Sequence, residues 1–388
     1  MQVRLITRLQ DLGPWESEWD SYARGVPFRG WPWMTNWWRF YGGASETHAH
    51  RSAHADATVA ATRAERQCLS ILAAVDDSDR PVGFAPWYME RTASRGRVLR
   101  YLGTGDVCPD YLSLLCLPEN MDAVAAALAD WLHAESDQWD LLELTGVDAE
   151  DGAVARLVEE MRRRGHAIHQ RTGPNCWRLP LPTTWEDYLA TLSRSHRRQL
   201  RVMERSLLSS GRAKLHVAER LDDLARAKQV LIELHQRRRR QLGQPGCFAA
   251  AEFRAFHDSV MPELLARGQL ELAWLELDGR PIAAEYQIVG RGVMYAYQAG
   301  IEPEALAHSP GRLILLLLLQ RAVEHGYSAY DFLRGDEPYK SHWRARQRPS
   351  VEIRIASARP AARFRHTLWR AGSRVKRWIK RLPVGADC

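Results

Sequence analysis

Nothing in this 388-residue sequence supplies a long apolar run. The longest, Leu313 to Leu319, is seven residues. Spanning a bilayer takes roughly twenty, so this run is expected to be a buried helix. The first residues, MQVRLITRLQDLG, carry Arg4 and Arg8 and no apolar core, which argues against a signal peptide. CxxC spacing is also absent: Cys68, Cys108, Cys116, Cys176, Cys247 and Cys388 are scattered. That excludes a disulfide framework and a cysteine zinc site, and points to reduced thiols in the cytoplasm. The body lacks a charge excess as well. Of the net +7, the stretch from Arg359 onward contributes +8, nine Lys/Arg against Asp387, leaving about −1 for everything before it. The basic balance therefore belongs to a tail, and no nucleic-acid-binding body is expected.

What the sequence does contain is a duplication. Residues 69–88, LSILAAVDDSDRPVGFAPWY, run parallel to 270–289, LELAWLELDGRPIAAEYQIV. Each is an apolar strand, an Asp-rich turn, Arg-Pro and a second apolar strand. Asp278-Gly279 is a strong hairpin signal, and Asp77-Ser78-Asp79 is its looser counterpart. The segments 96–105 and 292–301 then read as third strands ending in Gly-containing loops. Helical segments 121–134 and 310–325 follow, and WDLLELTG (139–146) parallels YDFLRG (330–335). Each half reads helix, helix, three antiparallel strands, loop, helix, strand. The expected architecture is α/β: a first domain over 1–172, a second over 173–358, and a tail over 359–388, with the proline-rich link Thr172–Pro182 between the halves.

Two stretches of the second half concentrate chemistry. YDFLRGDEPYKSHW (330–343) breaks from strand at Gly335 and presents Asp336, Glu337, Tyr339, Lys340 and His342 at a strand's carboxyl end, where open α/β sheets bind ligands. GIEPEALAHSPGRL (300–313) places Ser309 as N-cap and Pro310 at the first helical position. A helix start carries unpaired N–H groups and partial positive charge, so it suits a phosphate, with Gly311 allowing close approach and Arg312 adding charge.

The order of elements and the phrase SPGRLILLLLLQRAVEHGYSAYDFLRGDEPYKSHW resemble the GNAT superfamily. They resemble more narrowly the CelD-like acetyltransferase domain of polysaccharide-biosynthesis proteins, a group related to the tandem-domain Fem-type peptidyltransferases. The resemblance covers about residues 5–357 and is strongest over 185–345. It implies two tandem GNAT-like domains, each a mixed, mostly antiparallel sheet flanked by helices. It implies an acyltransferase fed by acyl-CoA (acetyl-CoA), or by aminoacyl-tRNA in the Fem branch. The family's pyrophosphate pattern, Q/R-x-x-G-x-G/A, is missing, and His308–Arg312 occupies its place.

The candidate site residues follow. Lys340, behind Tyr339, resembles the Fem-type lysine that stabilises the transferring carbonyl. Tyr339 is expected to pack, with its hydroxyl toward substrate as the alternative. The base candidates are Glu285, Asp331 and Asp336. Glu285 sits in an apolar strand, where a carboxylate is costly unless paired or functional, and shares a face with Ala283 and Gln287. Asp331 matches Asp140 in the first half, which suggests structure, and Asp336 is equally suited to capping the helix at Pro338. His308, Ser309, Gly311, Arg312, Tyr297 and Gln298 are the donor-site candidates. In SRSHRRQLRVMERSL (193–207), Arg194, Arg198, Arg201 and Arg205 fall on one helical face opposite Leu192, His196, Leu200, Met203 and Leu207. One or two of the first three arginines are candidates for an acceptor phosphate or carboxylate.

Other clusters carry less. GWPWMTNWWRFYG (30–42) reads as a core helix more than a sugar platform, and Arg237–Arg240 as a solvated face. His48, His50 and His54 lie in an Ala-rich loop, and no metal is expected. Gly103-Thr104-Gly105-Asp106 is too short for a dinucleotide fingerprint. In the tail, RFRHTLWRAGSRVKRWIKRL sets Phe364, Leu368, Ala371, Val375, Ile379 and Leu382 at helical spacing among basic residues, with Trp369 and Trp378 at the border. That suits an anionic membrane surface, with RNA the competing partner and a solvated tail the plain alternative. The leading function is acyl transfer to a sugar or a nucleotide- or lipid-linked glycan precursor, by a cytoplasmic protein, peripheral at the inner membrane face through the tail. The alternatives are tRNA-dependent aminoacyl transfer and a non-catalytic binding module.

Overall fold

The computed structural model describes residues 1–42 and 66–379, with side chains through 369. His48, His50 and His54 lie outside the described residues, as do residues 380–382 of the tail motif and the side chains of Ala371, Val375, Trp378 and Ile379. Three sheets organise the described chain. In spatial order the largest contains Ala213–Val217, Leu270–Leu277, Arg280–Gly290, Val293–Ile301, Ala329–Arg334, Cys176–Pro180 and Arg346–Arg348. All its neighbours are antiparallel except Val293–Ile301 and Ala329–Arg334, which run parallel through the crossover helix Pro310–Glu324. The Asp278-Gly279 turn has both φ values positive, 49° and 79°, the geometry this dipeptide favours.

The first half repeats the strand order with one break. Ile71–Val75 pairs with Pro81–Ala85, but the chain then leaves that sheet at Pro86, and Trp87–Thr92 pairs with Gly96–Tyr101 in another. A proline has no N–H for the ladder, so it is at home at such a junction. The counterpart of the unbroken strand Arg280–Gly290 is thereby divided between a four-stranded and a six-stranded sheet. Gly96–Tyr101 again runs parallel to Leu141–Asp148 through the helix Met121–Ala134.

The second half lends the first a strand. Ser350–Ala356, near the end of the expected second domain, inserts between Leu141–Asp148 and Ala167–Thr172 in the six-stranded sheet. A sheet of the first half is therefore completed by a strand from beyond residue 172. A single apolar cluster spans both halves: Trp33 packs edge-on against Phe256 with centroids 5.0 Å apart, and Phe28 against Tyr295 at 5.6 Å. The Trp-rich helix Trp31–Tyr41 is core, with Trp33 and Trp37 buried.

Polar bonds fasten the same junction. Asp331, at 0% exposure, accepts from Arg178 Nε at 2.7 Å, from the Tyr111 hydroxyl at 2.6 Å and from its own Leu333 amide at 2.9 Å. Asp110 accepts from Arg334 Nε at 2.9 Å. Asp140, the first-half counterpart of Asp331, accepts from the Arg97 amide at 2.8 Å and faces Arg359 and Arg365.

Breaking one side of a buried pair strands the other. Asp331→Ala is expected to lower unfolding free energy by about 3–5 kcal/mol, and Tyr111→Phe by about 1–3 kcal/mol. Urea denaturation of the two variants checks both.

Candidate active site

The parallel strands Val293–Ile301 and Ala329–Arg334 pair only from Val293–Ala329 to Tyr295–Asp331, and then part. Leu333 turns away in the left-handed region at φ 55°, held by the Asp331 carboxylate. The backbone edge from Ala296 onward is left facing a gap. In the first half the equivalent gap is stitched shut, because the Leu112 amide donates to the Gly146 carbonyl at 2.9 Å. The second half alone keeps its strands open.

Glu285 stands beside this gap. Register sets it opposite Ala299, on the face shared with Gln287 and Ala283. Its carboxyl is half-buried and has neither hydrogen bond nor ion pair among the described residues. Desolvation raises its pKa to about 8. Gln287 Nε2 donates to the Tyr330 hydroxyl at 2.7 Å, and the Gln287 carbonyl oxygen is buried without a partner. The Tyr330 and Tyr339 phenols are both raised, first by burial and then by the charge of Glu285. Tyr339 is half-exposed and stands edge-on to Phe332, so it packs while its hydroxyl remains near the carboxyl.

Lys340 does not meet the gap, which corrects the role expected for it. It is 2% exposed, and its ammonium donates to the carbonyls of Leu333, Arg334 and Gly335 at 3.2, 2.9 and 3.0 Å. Glu337 lies 2.9 Å away as counter-ion. These acceptors exhaust its three protons, leaving none for a substrate carbonyl. Asp336 is likewise occupied: it accepts from Asn175 at 3.2 Å and from the Trp177 indole at 3.0 Å, tying the turn to the strand Cys176–Pro180, and it caps no helix. Asp331 is saturated and structural. Among the carboxylates weighed from sequence, Glu285 remains uncommitted.

The donor-site candidates separate into two groups. Tyr297 lies on the opposite face, donating to the Val107 carbonyl at 2.7 Å within the core between the halves. Gln298 pairs with Tyr286 and shares that opposite face. Neither reaches Glu285's face, because the bulge between Tyr286 and Gln287 reverses the alternation that sequence spacing suggests. His308, Ser309 and Arg312 do come together with the arginine stripe. Arg194, Arg198, Arg201 and Arg205, joined by Arg197, line one open cleft of about 1530 Å³ with them. Leu192, His196 and Leu200 are buried away from the cleft, as the periodicity requires, whereas Met203 and Leu207 line it together with the arginines, where the helix widens into a π turn at Glu204–Leu208. Ser309 holds the expected N-cap position but in the left-handed conformation, φ 52°, and its side chain makes no capping bond. Gly311 faces open space: a Cβ there would meet only Ile301 at 3.9 Å. Arg312 reaches Gln199 at 3.2 Å.

The segment Arg194–Met203 is fixed beside the Tyr339 turn by rings. His196 stacks on His342 with centroids 4.0 Å apart and meets Trp343 edge-on, and burial lowers its pKa to about 4, so it is neutral. Arg201 pairs with Glu186 at 3.6 Å, and the other guanidinium groups of the cleft have no ion pair among the described residues, which suits a phosphate-bearing ligand. Among the described residues no group of three His, Cys, Asp or Glu could hold a metal ion. The open cleft also fits the several phosphates of a coenzyme thioester, though no glycine-rich cradle is present.

Comparison with known proteins agrees with this geometry. Residues 194–341 match the acetyltransferase (GNAT) domain profile, which covers both the cleft and the parted strands. Over that stretch, which lies in the second half, the chain is similar to the GNAT acetyltransferases. Its whole-chain fold is similar to the crystal structure of FemX, with TM-score 0.60 and 11% identity over 91% of this chain and 97% of that one. A conserved protein of unknown function from Bacteroides thetaiotaomicron VPI-5482 is also similar, with TM-score 0.54 and 9% identity over 92% and 100%. No curated protein matches.

Two outcomes follow. Glu285→Gln is expected to raise the melting temperature, by an amount that grows as pH rises from 5 to 8. The folded carboxyl keeps its proton up to about 8 while the unfolded one has lost it, so the wild type loses stability over that window. Thermal melts across pH check this. Lys340→Ala is expected to cost about 2–4 kcal/mol, since carbonyls lose a buried donor and a stem is removed. Chemical denaturation measures it.

Proposed function

We propose that this protein is an acyltransferase whose second half transfers an acyl group from a phosphate-bearing thioester to an amine or hydroxyl. The observation that carries this reading is Glu285: an unpaired carboxyl with pKa near 8, beside strands that part. Ionised, it accepts the proton of the attacking acceptor atom. The acceptor then bonds to the acyl carbon, the carbonyl oxygen gains charge, and collapse expels the thiolate leaving group. N–H groups along the strand edge past Tyr295 are the donors offered to that oxygen. The cleft of Arg194, Arg198, Arg201 and Arg312 would hold the donor's anionic tail, in keeping with acetyl-CoA as co-substrate. A sugar or a nucleotide- or lipid-linked glycan precursor is the proposed acceptor class, on the resemblance stated above.

The test is consumption of labelled acetyl-CoA against a panel of amino sugars and nucleotide sugars. Glu285→Gln is expected to lower kcat/KM by about 10²–10⁴-fold and to abolish its rise with pH near 8. A loss within about threefold, under 1 kcal/mol of barrier, would remove Glu285 from the mechanism. A second reading, transfer from aminoacyl-tRNA, is favoured by the breadth of the arginine-lined cleft. Labelled aminoacyl-tRNA in the same assay separates the two.

The tail supports a peripheral location. The helix Pro360–Ile379 rests on the six-stranded sheet through Ala362, His366 and Trp369, with Arg354 3.7 Å above the Trp369 ring. Phe364 and Leu368, on its outer side, are 65% and 56% exposed. No helix among the described residues is long and apolar enough to cross a membrane. Apolar side chains flanked by basic ones suit the surface of an anionic bilayer. Phe364→Ser with Leu368→Ser is expected to weaken co-sedimentation with phosphatidylglycerol vesicles at least about tenfold without changing turnover of a soluble acceptor; unchanged sedimentation would rule the surface out.

A further inference from the structure

A second cavity, of about 360 Å³, lies where the two halves meet. Tyr111 and Arg29 line it from the first half, and Tyr295 and Arg178 from the second. Strand register places it across the sheet from Glu285. Tyr295 and Arg178 both pair with Asp331, whereas Glu285 lies with Gln287, which bonds the next residue, Tyr330, on the other face. A ligand here is separated by the sheet from the atoms that react at Glu285.

The acids of this cavity are already matched. Asp151 faces Arg29 at 3.2 Å, Asp148 is bonded by Arg348, and Glu150 lies 3.7 Å from Arg348. Arg178 is held by Asp331 at 2.7 Å. That leaves the side chains of Arg24 and Arg291, which also line the cavity, with no hydrogen bond or ion pair among the described residues. Arg291 packs against the residue after Arg24: a Cβ at Gly25 would come 2.7 Å from Arg291 Cβ. Two arginine side chains that line one cavity without a carboxylate partner offer charge to an anion.

We propose that this cavity is a second ligand site, apart from the transfer site, for a small organic anion bearing phosphate or carboxylate groups and held by Arg24 and Arg291. Its volume is at the low end for ligand pockets, which suits a compact anion and not a coenzyme or glycan chain. The site does not depend on the transfer reaction proposed above.

Titration calorimetry of the full chain at fixed ionic strength, with pyrophosphate and with citrate as probes, tests this. Arg24→Ala with Arg291→Ala is compared with Arg198→Ala with Arg312→Ala, which alters only the other basic cleft. At least one probe is expected to bind saturably, to lose about tenfold in affinity in the first variant and to stay within about twofold in the second. Preference between the probes tells phosphate from carboxylate recognition. Absence of saturable binding of either anion, or binding that survives in the first variant and vanishes in the second, would overturn the site. Because the Arg24 and Arg291 side chains make no hydrogen bond or ion pair among the described residues, the first variant is expected to melt as the wild type does, so weakened binding reports the site and not the fold.

Discussion

The parting of two parallel strands after Tyr295 and Asp331 is the constraint on which the second half is built. Strands that separate inside a protein leave carbonyl and amide groups unmatched, and buried unmatched groups are costly. Here the departing strand is supplied with partners of its own. The Asp331 carboxylate takes the Leu333 amide, and the Lys340 ammonium takes the carbonyls of Leu333, Arg334 and Gly335. The gap is thereby held open by polar bonds on one wall while the other wall keeps its edge free. The first half, with the same strand order, fills its gap with the loop around Leu112. Two units of similar strand order are thus one open and one closed.

The closed unit contributes to the open one. Tyr111 bonds Asp331, Asp110 bonds Arg334, and the Val107 carbonyl takes the Tyr297 hydroxyl, all from the segment that plugs the first gap. The same residues that close one half therefore brace the strand end of the other. Insertion of Ser350–Ala356 into the first half's sheet adds a covalent reason for the halves to stay together.

Electrostatics divide the surfaces by task. Glu285 is kept proton-bearing near neutrality by burial, while the arginines of the neighbouring cleft stand largely without acids. Desolvation sets the shift of this carboxyl, and no guanidinium offsets it. Charge in the tail, by contrast, lies outside this arrangement, beside exposed Phe364 and Leu368.

Features with a short sequence range were legible before any coordinates. The Asp278-Gly279 turn, the buried Leu313–Leu319 helix, the arginine stripe and the order of strands all follow from periodicity and turn chemistry, which act over a few residues. Glu285 was legible for the same reason, as a charge interrupting an apolar strand. For Lys340, Asp336 and Tyr297 the sequence suggests roles that the fold gives to none of them. Their partners sit on strands and loops far away in sequence, or, for Lys340, on carbonyls freed by a turn that no motif announces. The sequence by itself determined which elements form and which faces are apolar. Tertiary structure decided which polar groups are spent on one another and which, like Glu285, Arg24 and Arg291, are left over, because that depends on long-range register and on a single bulge.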